Sequence, residues 1–118
     1  IAGADRIHPH LQDASTLIPK LDRMYDIVYI DADKRLYPAY YDMVFDKVRP
    51  GGYILADNVL WSGKTASDTH PTDKQTAAIM EFNKKTASDP RVERLVLPIR
   101  DGLALIHKRS DSFFPGQF

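Results

Sequence analysis

The chain has 118 residues, which is the size of one small domain and too short for two ordinary domains. Its 16 basic residues balance its 16 acidic residues, so the composition predicts no nucleic-acid partner. It contains no cysteine, which excludes disulfides and thiolate metal ligands and is typical of a reducing, cytoplasmic location. The apolar runs are too short to cross a membrane, so we expect no membrane partner.

The first residues indicate that the chain begins inside a fold. Ile1–Asp5 has no initiator methionine and is typical of a helix end, with Gly3 suited to the position after the last turn. Arg6–Leu11 has the composition of a short strand, and Pro9 favours an edge or irregular strand. We therefore expect a partial domain.

Apolar patterning predicts alternating strands and helices through the rest of the chain. Two β-rich runs predict buried strands, the first of them buried on both faces because its apolar residues do not alternate strictly: Tyr25–Ile30 and Tyr53–Ala56. Helical spacing and cap residues predict three helices: Ser15–Leu21 after the cap Asp13, Tyr37–Val48 up to the stop Arg49–Gly52, and Thr72–Thr86 with a Thr72/Gln75 capping box.

The C-terminal part predicts a hairpin. Arg91–Pro98 and Leu103–Lys108 are predicted strands joined through a tight turn at Arg100–Gly102. A polar loop is predicted at Val59–Pro71 and a loose tail at residues 110–118. The element order predicts one α/β domain over residues 1–118, with a mainly parallel sheet and an antiparallel hairpin at its C-terminal edge.

Oxygen-bearing side chains follow both buried strands. The first strand runs into Asp31, and the second runs into Asp57 and Asn58. An Asp-Ala-Asp or Asp-Asn sequence by itself is more often a cap or a turn. Two such clusters on consecutive parallel strands meet at one rim of the sheet, where ligands bind in α/β folds. This donor set suits a hard cation such as Mg²⁺, which makes a metal or cofactor site about as plausible as a structural one.

Lys34 follows Asp31 by three residues. It is either a solvated lysine at the start of a helix or a general base. A divalent cation nearby would lower the pKa of its ammonium group and favour the second interpretation.

The sequence around these residues resembles the caffeoyl-CoA O-methyltransferase family, with its bacterial branch the more similar one. The resemblance rests on YDIVYIDADKRLY (Tyr25–Tyr37), RPGGYILADNVLWSG (Arg49–Gly63) and the segment Glu81–Lys108, and it extends back to Ala2–Leu21. It implies a Rossmann-like class I methyltransferase sheet. It also implies metal-dependent methyl transfer from S-adenosylmethionine to a catechol-like or phenolic small molecule.

The resemblance also implies roles for individual residues. The metal ligands would be Asp31, Asp57 and Asn58, with Mg²⁺ favoured over Ca²⁺ or Mn²⁺, and Lys34 would be the catalytic base. The implied S-adenosylmethionine-binding residues are Asp13, Ala14, Asp31 and Asp33. The implied substrate-contacting residues are Trp61 and Ser62, where Ser62 stands at a position that is often Asn in plant members.

Relative to the family, this chain corresponds to the C-terminal half. The Gly-rich turn and the ribose-binding acid that hold the cofactor belong to the other half, so we expect weak cofactor binding by this chain alone. The strand Tyr25–Ile30 would then be an open edge, which predicts homo-oligomers.

Three alternatives remain at this point. A folded but inactive fragment of such an enzyme explains the same residues. An Asp-x-Asp glycosyltransferase site fits Asp31–Asp33 but leaves Asp57 and Asn58 unexplained. A phospho-accepting receiver domain also uses acids and a lysine around Mg²⁺, but its lysine belongs on a later strand than Lys34.

Overall fold

The computed structural model describes residues 2–60 and 73–110 as four strands and three α-helices. The strands are β1 (Tyr25–Ile30), β2 (Val48–Asp57), β3 (Val92–Leu97) and β4 (Leu103–Lys108). The helices are α1 (Ala14–Leu17), α2 (Tyr37–Phe45) and α3 (Lys74–Ala87). Short 3₁₀ turns lie at Ala4–Arg6, Ile18–Lys20 and Lys34–Leu36. None of these helices has the length and hydropathy needed to cross a membrane.

The strands form one mixed sheet in the order β1-β2-β4-β3. Within the described residues β1 and β2 run parallel, while β4 pairs antiparallel with both β2 and β3. Helix α2 makes the crossover from β1 to β2. The predicted α/β fold with an antiparallel hairpin at its C-terminal edge is confirmed.

Strand β2 begins earlier than predicted, because helix α2 already ends at Phe45 and Val48 pairs with Tyr25 of β1. Tyr25 pairs with Val48 but Ile27 pairs with Tyr53, so β2 carries extra residues at this point. Gly52 allows the strands to approach there, since a Cβ atom on it would lie 2.6 Å from the carbonyl oxygen of Asp26. The predicted end of the helix at Val48 was too late, because Val48 already belongs to β2.

Two local predictions near helix and strand ends were wrong. Residues 7–11 form no strand, and Leu11 is fully exposed. Pro9 has no N–H to donate, and the described residues offer this segment no neighbouring strand. Helix α3 is capped by Asp73, whose carboxylate accepts hydrogen bonds from the Thr76 N–H (2.6 Å) and hydroxyl (2.7 Å). Asp73 supplies the acceptor that the capping-box prediction assigned to Thr72, a residue outside the described part.

One face of the sheet carries helices α2 and α3 and holds the core. The rings of Tyr37 and Tyr41 on α2 meet the ring of Phe82 on α3 edge to face, with centroids 5.4 and 5.9 Å apart. All three side chains are fully buried, together with Ile54 and Ile106 from the central strands. We call this side of the sheet the closed face.

The opposite side of the sheet is exposed in the described part of the chain. Strand register places its residues in two cross-sheet rows: Ile27, Tyr53, His107 and Glu93, and Tyr29, Leu55, Leu105 and Leu95. Ile27 is 60% exposed, Tyr29 55% and Leu95 57%. We call this side the open face. The prediction that β1 is buried on both faces is therefore wrong for the described residues.

Candidate active site

Strand register brings the predicted acidic residues together at one rim of the sheet. Ile30 at the end of β1 lies level with Ala56 of β2, so Asp31 and Asp57 leave their strands side by side. The carboxylates of Asp31 and Asp57 both raise the pKa of Tyr37, which lies on the closed face. Burial of the Tyr37 phenol is the larger cause of this rise. Asn58 follows directly in a left-handed conformation, with φ of 64°. The three predicted metal ligands thus share one location.

Asp57 is held at three points. The Tyr29 hydroxyl donates to Oδ2 (2.6 Å), and the Asn58 N–H donates to Oδ1 (2.8 Å). The Tyr37 hydroxyl donates to the main-chain carbonyl oxygen of Asp57 (2.7 Å). The hydrogen bond to Asp57 is also the main reason that the pKa of Tyr29 rises to about 12. The carboxylate therefore has a fixed orientation before any ligand binds.

Lys34 is a buried lysine on the closed-face side of the rim. Its side chain is 10% exposed, and Nζ donates to Asp31 Oδ1 (3.0 Å) and to the Tyr37 hydroxyl (2.7 Å). Tyr37 also lies 3.2 Å from the carbonyl oxygen of Ile30, so its hydroxyl contacts the ends of both strands. The solvated-lysine interpretation does not fit this burial, because a buried ammonium group requires partners.

The predicted cofactor residues lie beside a cleft along the edge of β1. The cleft has a volume of about 360 Å³, and Ala14, Asp31, Ala32 and Tyr40 are among its lining residues. Its other walls come from residues on both faces of β1, including Ile27 and Tyr29, from helix α2 and from the segment after α1. Two of the four predicted cofactor residues, Ala14 and Asp31, therefore line one cavity.

Asp13 and Asp33 have structural partners of their own. Asp13 caps α1, and hydrogen bonds from the Ser15 hydroxyl and N–H lower the pKa of its carboxyl group. Asp33 accepts hydrogen bonds from the Arg35 side chain and N–H, which lower the pKa of its carboxyl group. Both carboxylates contribute to the raised pKa of Tyr40, after burial of that phenol, but neither is among the residues that line the cleft.

The three predicted ligands fit a hard cation that takes only a few of its ligands from the protein. The described residues contain no group of three His, Cys, Asp or Glu side chains placed to hold a metal. Asp31, Asp57 and Asn58 offer two carboxylates and one amide, and such a set suits Mg²⁺, which keeps several waters or substrate oxygens as ligands. Half of the Asp31 side chain is exposed, which leaves room for those ligands.

Sequence reasoning missed two tyrosines of the site. Tyr29 precedes Asp31 by two residues, which places it at the rim on the open face, and Tyr37 follows Lys34 by three, the spacing of neighbours on a helix. Both signals were present in the sequence, but each tyrosine also fits a purely apolar role. The predicted substrate residues Trp61 and Ser62 lie outside the described residues.

Comparisons with known proteins agree with this fold. The chain is 38% identical over 113 residues to the probable caffeoyl-CoA O-methyltransferase 1 of Dictyostelium discoideum, covering 91% of this chain and 49% of that protein. The Bacillus cereus O-methyltransferase solved in complex with SAH matches with a TM-score of 0.73 and 27% identity, over 81% of this chain and 47% of that one. Cofactor-bound Rv0187 from MTB matches with a TM-score of 0.82 and 26% identity, over 92% and 51%.

The fold and its structural neighbours therefore define a Rossmann-like methyltransferase fold. A sequence model of the O-methyltransferase family matches residues 5–109, and the chain belongs to that family. It spans about half the length of the curated relatives from Dictyostelium discoideum that it matches. The resemblance noted in the sequence is confirmed.

Proposed function

We propose that the protein takes part in metal-dependent methyl transfer from S-adenosylmethionine to a hydroxyl group of a catechol-like or phenolic small molecule. The observation that carries the proposal is the meeting of Asp31, Lys34 and Asp57 at one rim of the sheet. Family membership and the SAH bound to the Bacillus cereus relative support the choice of methyl donor. The caffeoyl-CoA O-methyltransferase relatives support a phenolic acceptor.

Asp31, Asp57 and Asn58 would hold the divalent cation, with Mg²⁺ favoured over Ca²⁺ or Mn²⁺. When bound, such a cation supplies Lewis-acid stabilisation of a substrate oxygen that is losing its proton. Asp57 contributes a carboxylate that is already oriented by Tyr29 and Asn58. A preoriented ligand needs no ordering when the site fills, which favours binding.

Lys34, in its neutral amine form, is the proposed acceptor of the substrate proton, at Nζ. Asp31 and the Tyr37 hydroxyl fix the position of this atom. The closed-face core excludes water from the stem of the side chain. Positioning of this kind is what a general base requires, since proton transfer depends on hydrogen-bond reach.

Asp13, Ala14, Asp31 and Asp33 would contact the methyl donor in and beside the cleft along β1, and Trp61 and Ser62 would contact the acceptor. Because the relatives' other half has no counterpart in this chain, we expect the 118-residue chain alone to bind S-adenosylmethionine weakly. Isothermal titration tests this, and micromolar or tighter binding would contradict it. Cytoplasmic location and homo-oligomer formation stay predictions.

The decisive experiment is Asp57→Ala in a protein of the relatives' full length, made by joining the unmatched half of the Dictyostelium discoideum relative to this chain. We expect loss of methyl transfer and of its stimulation by Mg²⁺, because the remaining oxygens do not replace the lost charge. Asp26→Ala is the control, since Asp26 is exposed on the same sheet away from the rim. Unchanged activity in Asp57→Ala, together with insensitivity to EDTA, would falsify the metal assignment.

A further inference from the structure

We propose that Tyr29 is a positioning residue for the cation site, which holds the carboxylate of Asp57 in the orientation that binds the metal. The proposal rests on the proposed function, because it needs Asp57 to be a metal ligand. It concerns an open-face side chain that neither the family resemblance nor the donor set assigns.

The position of Tyr29 in the sheet explains how its hydroxyl reaches Asp57. Tyr29 of β1 lies level with Leu55 of β2, and Asp57 is two residues further along the same face. Tyr29 and Asp57 are therefore diagonal neighbours on adjacent parallel strands. The phenol spans this diagonal and donates to Asp57 Oδ2 at 2.6 Å.

The hydrogen bonds on Asp57 use one position on each carboxylate oxygen. Tyr29 occupies one on Oδ2, and the Asn58 N–H occupies one on Oδ1. A carboxylate oxygen has further lone pairs, so both atoms keep the capacity to bind a cation. Rotation of the carboxylate breaks one or both hydrogen bonds, which is why Tyr29 fixes its direction.

Packing alone does not account for this tyrosine. Its side chain lies on the open face and is 55% exposed, so the ring is not needed to fill the core of the described residues. Tyr53 lies on the same face and stacks on His107 at 4.8 Å, away from the rim. The difference between the two tyrosines is the hydroxyl contact with Asp57, and groups that orient metal ligands in this way typically change metal affinity about 10- to 100-fold.

The opposite role is also testable. If the hydrogen bond held Asp57 away from the metal, its removal would tighten cation binding. The sign of the change in affinity therefore distinguishes a positioning residue from a competing one.

The test is calorimetric titration of Mn²⁺ alone into the full chain and into Tyr29→Phe, Tyr53→Phe and Asp57→Ala. We expect Tyr29→Phe to weaken binding about 10- to 100-fold, Tyr53→Phe to leave it unchanged and Asp57→Ala to abolish it. Because the Tyr29 phenol is exposed, the thermal unfolding of the Tyr29→Phe variant without metal should match that of the parent chain.

The outcomes separate the two proposals. Unchanged or tighter binding in Tyr29→Phe, with loss in Asp57→Ala, overturns the role of Tyr29 and leaves the metal site standing. Equal weakening in Tyr29→Phe and Tyr53→Phe also overturns it, since the effect would then be general to the face. Binding that survives Asp57→Ala, or no binding by the parent chain, overturns both.

Discussion

The two faces of the sheet differ in how they support the same rim. On the closed face, Tyr37 and Lys34 are buried and tie both strand ends together. On the open face, the exposed phenol of Tyr29 makes the contact with Asp57. The comparison shows that the helix side provides rigidity, whereas the open side leaves the carboxylates accessible to ligands. Substitutions on the two faces should therefore differ in their effects on turnover, on the free energy of unfolding and on assembly.

The largest effect is expected at the buried half of the site. Lys34→Ala should lower turnover about 10²- to 10⁴-fold, because a positioned general base contributes that much, while cation affinity changes less. Steady-state kinetics measures turnover in the joined protein that has the relatives' full length. Titration with Mn²⁺ measures its cation affinity. Lys74→Ala, at the exposed start of α3, is the matched control. A loss of less than tenfold in Lys34→Ala would place the base elsewhere.

The core comparison sets Phe82→Ala on the closed face against Leu95→Ala on the open face. Phe82 is fully buried between two tyrosine rings, so its truncation should lower the free energy of unfolding by about 3–5 kcal/mol. Leu95 is 57% exposed, and its truncation should change that energy by no more than about 0.5 kcal/mol. Denaturant unfolding measures both, and equal losses would mean that the open face is covered in solution.

A smaller, pH-dependent effect is expected from Asp89, which links α2 to the start of β3. Its burial opposes ionisation, but hydrogen bonds from Arg91 and Tyr41 outweigh burial and hold the pKa at about 2. Because this pKa is depressed, the stabilisation is present above the unfolded value of about 3.9 and is lost as the pH falls towards 2. Asp89→Asn should therefore destabilise by about 1–3 kcal/mol at neutral pH and by less in acid.

Denaturant titrations at several pH values provide the measurement for Asp89. The exposed Asp26, 3.5 Å from Arg49, offers Asp26→Asn as a control with little expected change. A destabilisation of Asp89→Asn that stays constant down to the lowest pH would contradict the assigned cause.

The smallest effect on the fold is a change of assembly at the edge of the sheet formed by β1. In the described residues β1 pairs only with β2, and an unpaired edge strand favours association with a second copy. Ile27→Lys should shift the chain towards monomer in sedimentation, because an exposed charge on an edge strand opposes pairing. A parent chain that is already monomeric at high concentration, with fast amide exchange over Tyr25–Ile30, would refute self-association.

Local patterns predicted much of the fold because most of its signals are short-range. The bounds of β1 and β4 were predicted as the structure has them, and Asp13 caps its helix as expected. The early start of β2 was not predictable in this way. A Pro-Gly-Gly sequence is typical of a turn, and only the close approach of Gly52 to Asp26 on another strand makes it part of a sheet.

Predictions for the site were limited in the same way, because they used only short-range patterns in the sequence. The parallel pairing of two strands was enough to place Asp31 beside Asp57, since it follows from chain direction. The sequence did not indicate that Lys34 is buried or that Tyr37 bonds both strand ends, because those contacts depend on how helix α2 packs on the sheet. The exposure of Ile27 was missed because a strand rich in apolar residues gives no sign of which neighbours cover it.

The placement of β4 between β2 and β3 has a consequence for the order in which the chain folds during synthesis. On the ribosome β3 emerges before β4, the strand that provides its pairing in the described sheet, so the sheet is not complete until the C-terminal strand is available. Lys108, at the end of β4, donates to the carbonyl oxygens of Phe45 (2.8 Å) and Val48 (2.9 Å), where α2 passes into β2. Because Lys108 follows the crossover in the chain, these two hydrogen bonds form only once β4 has been made. A nascent chain stopped before Leu103 therefore lacks the pairing of β4 with β2 and β3.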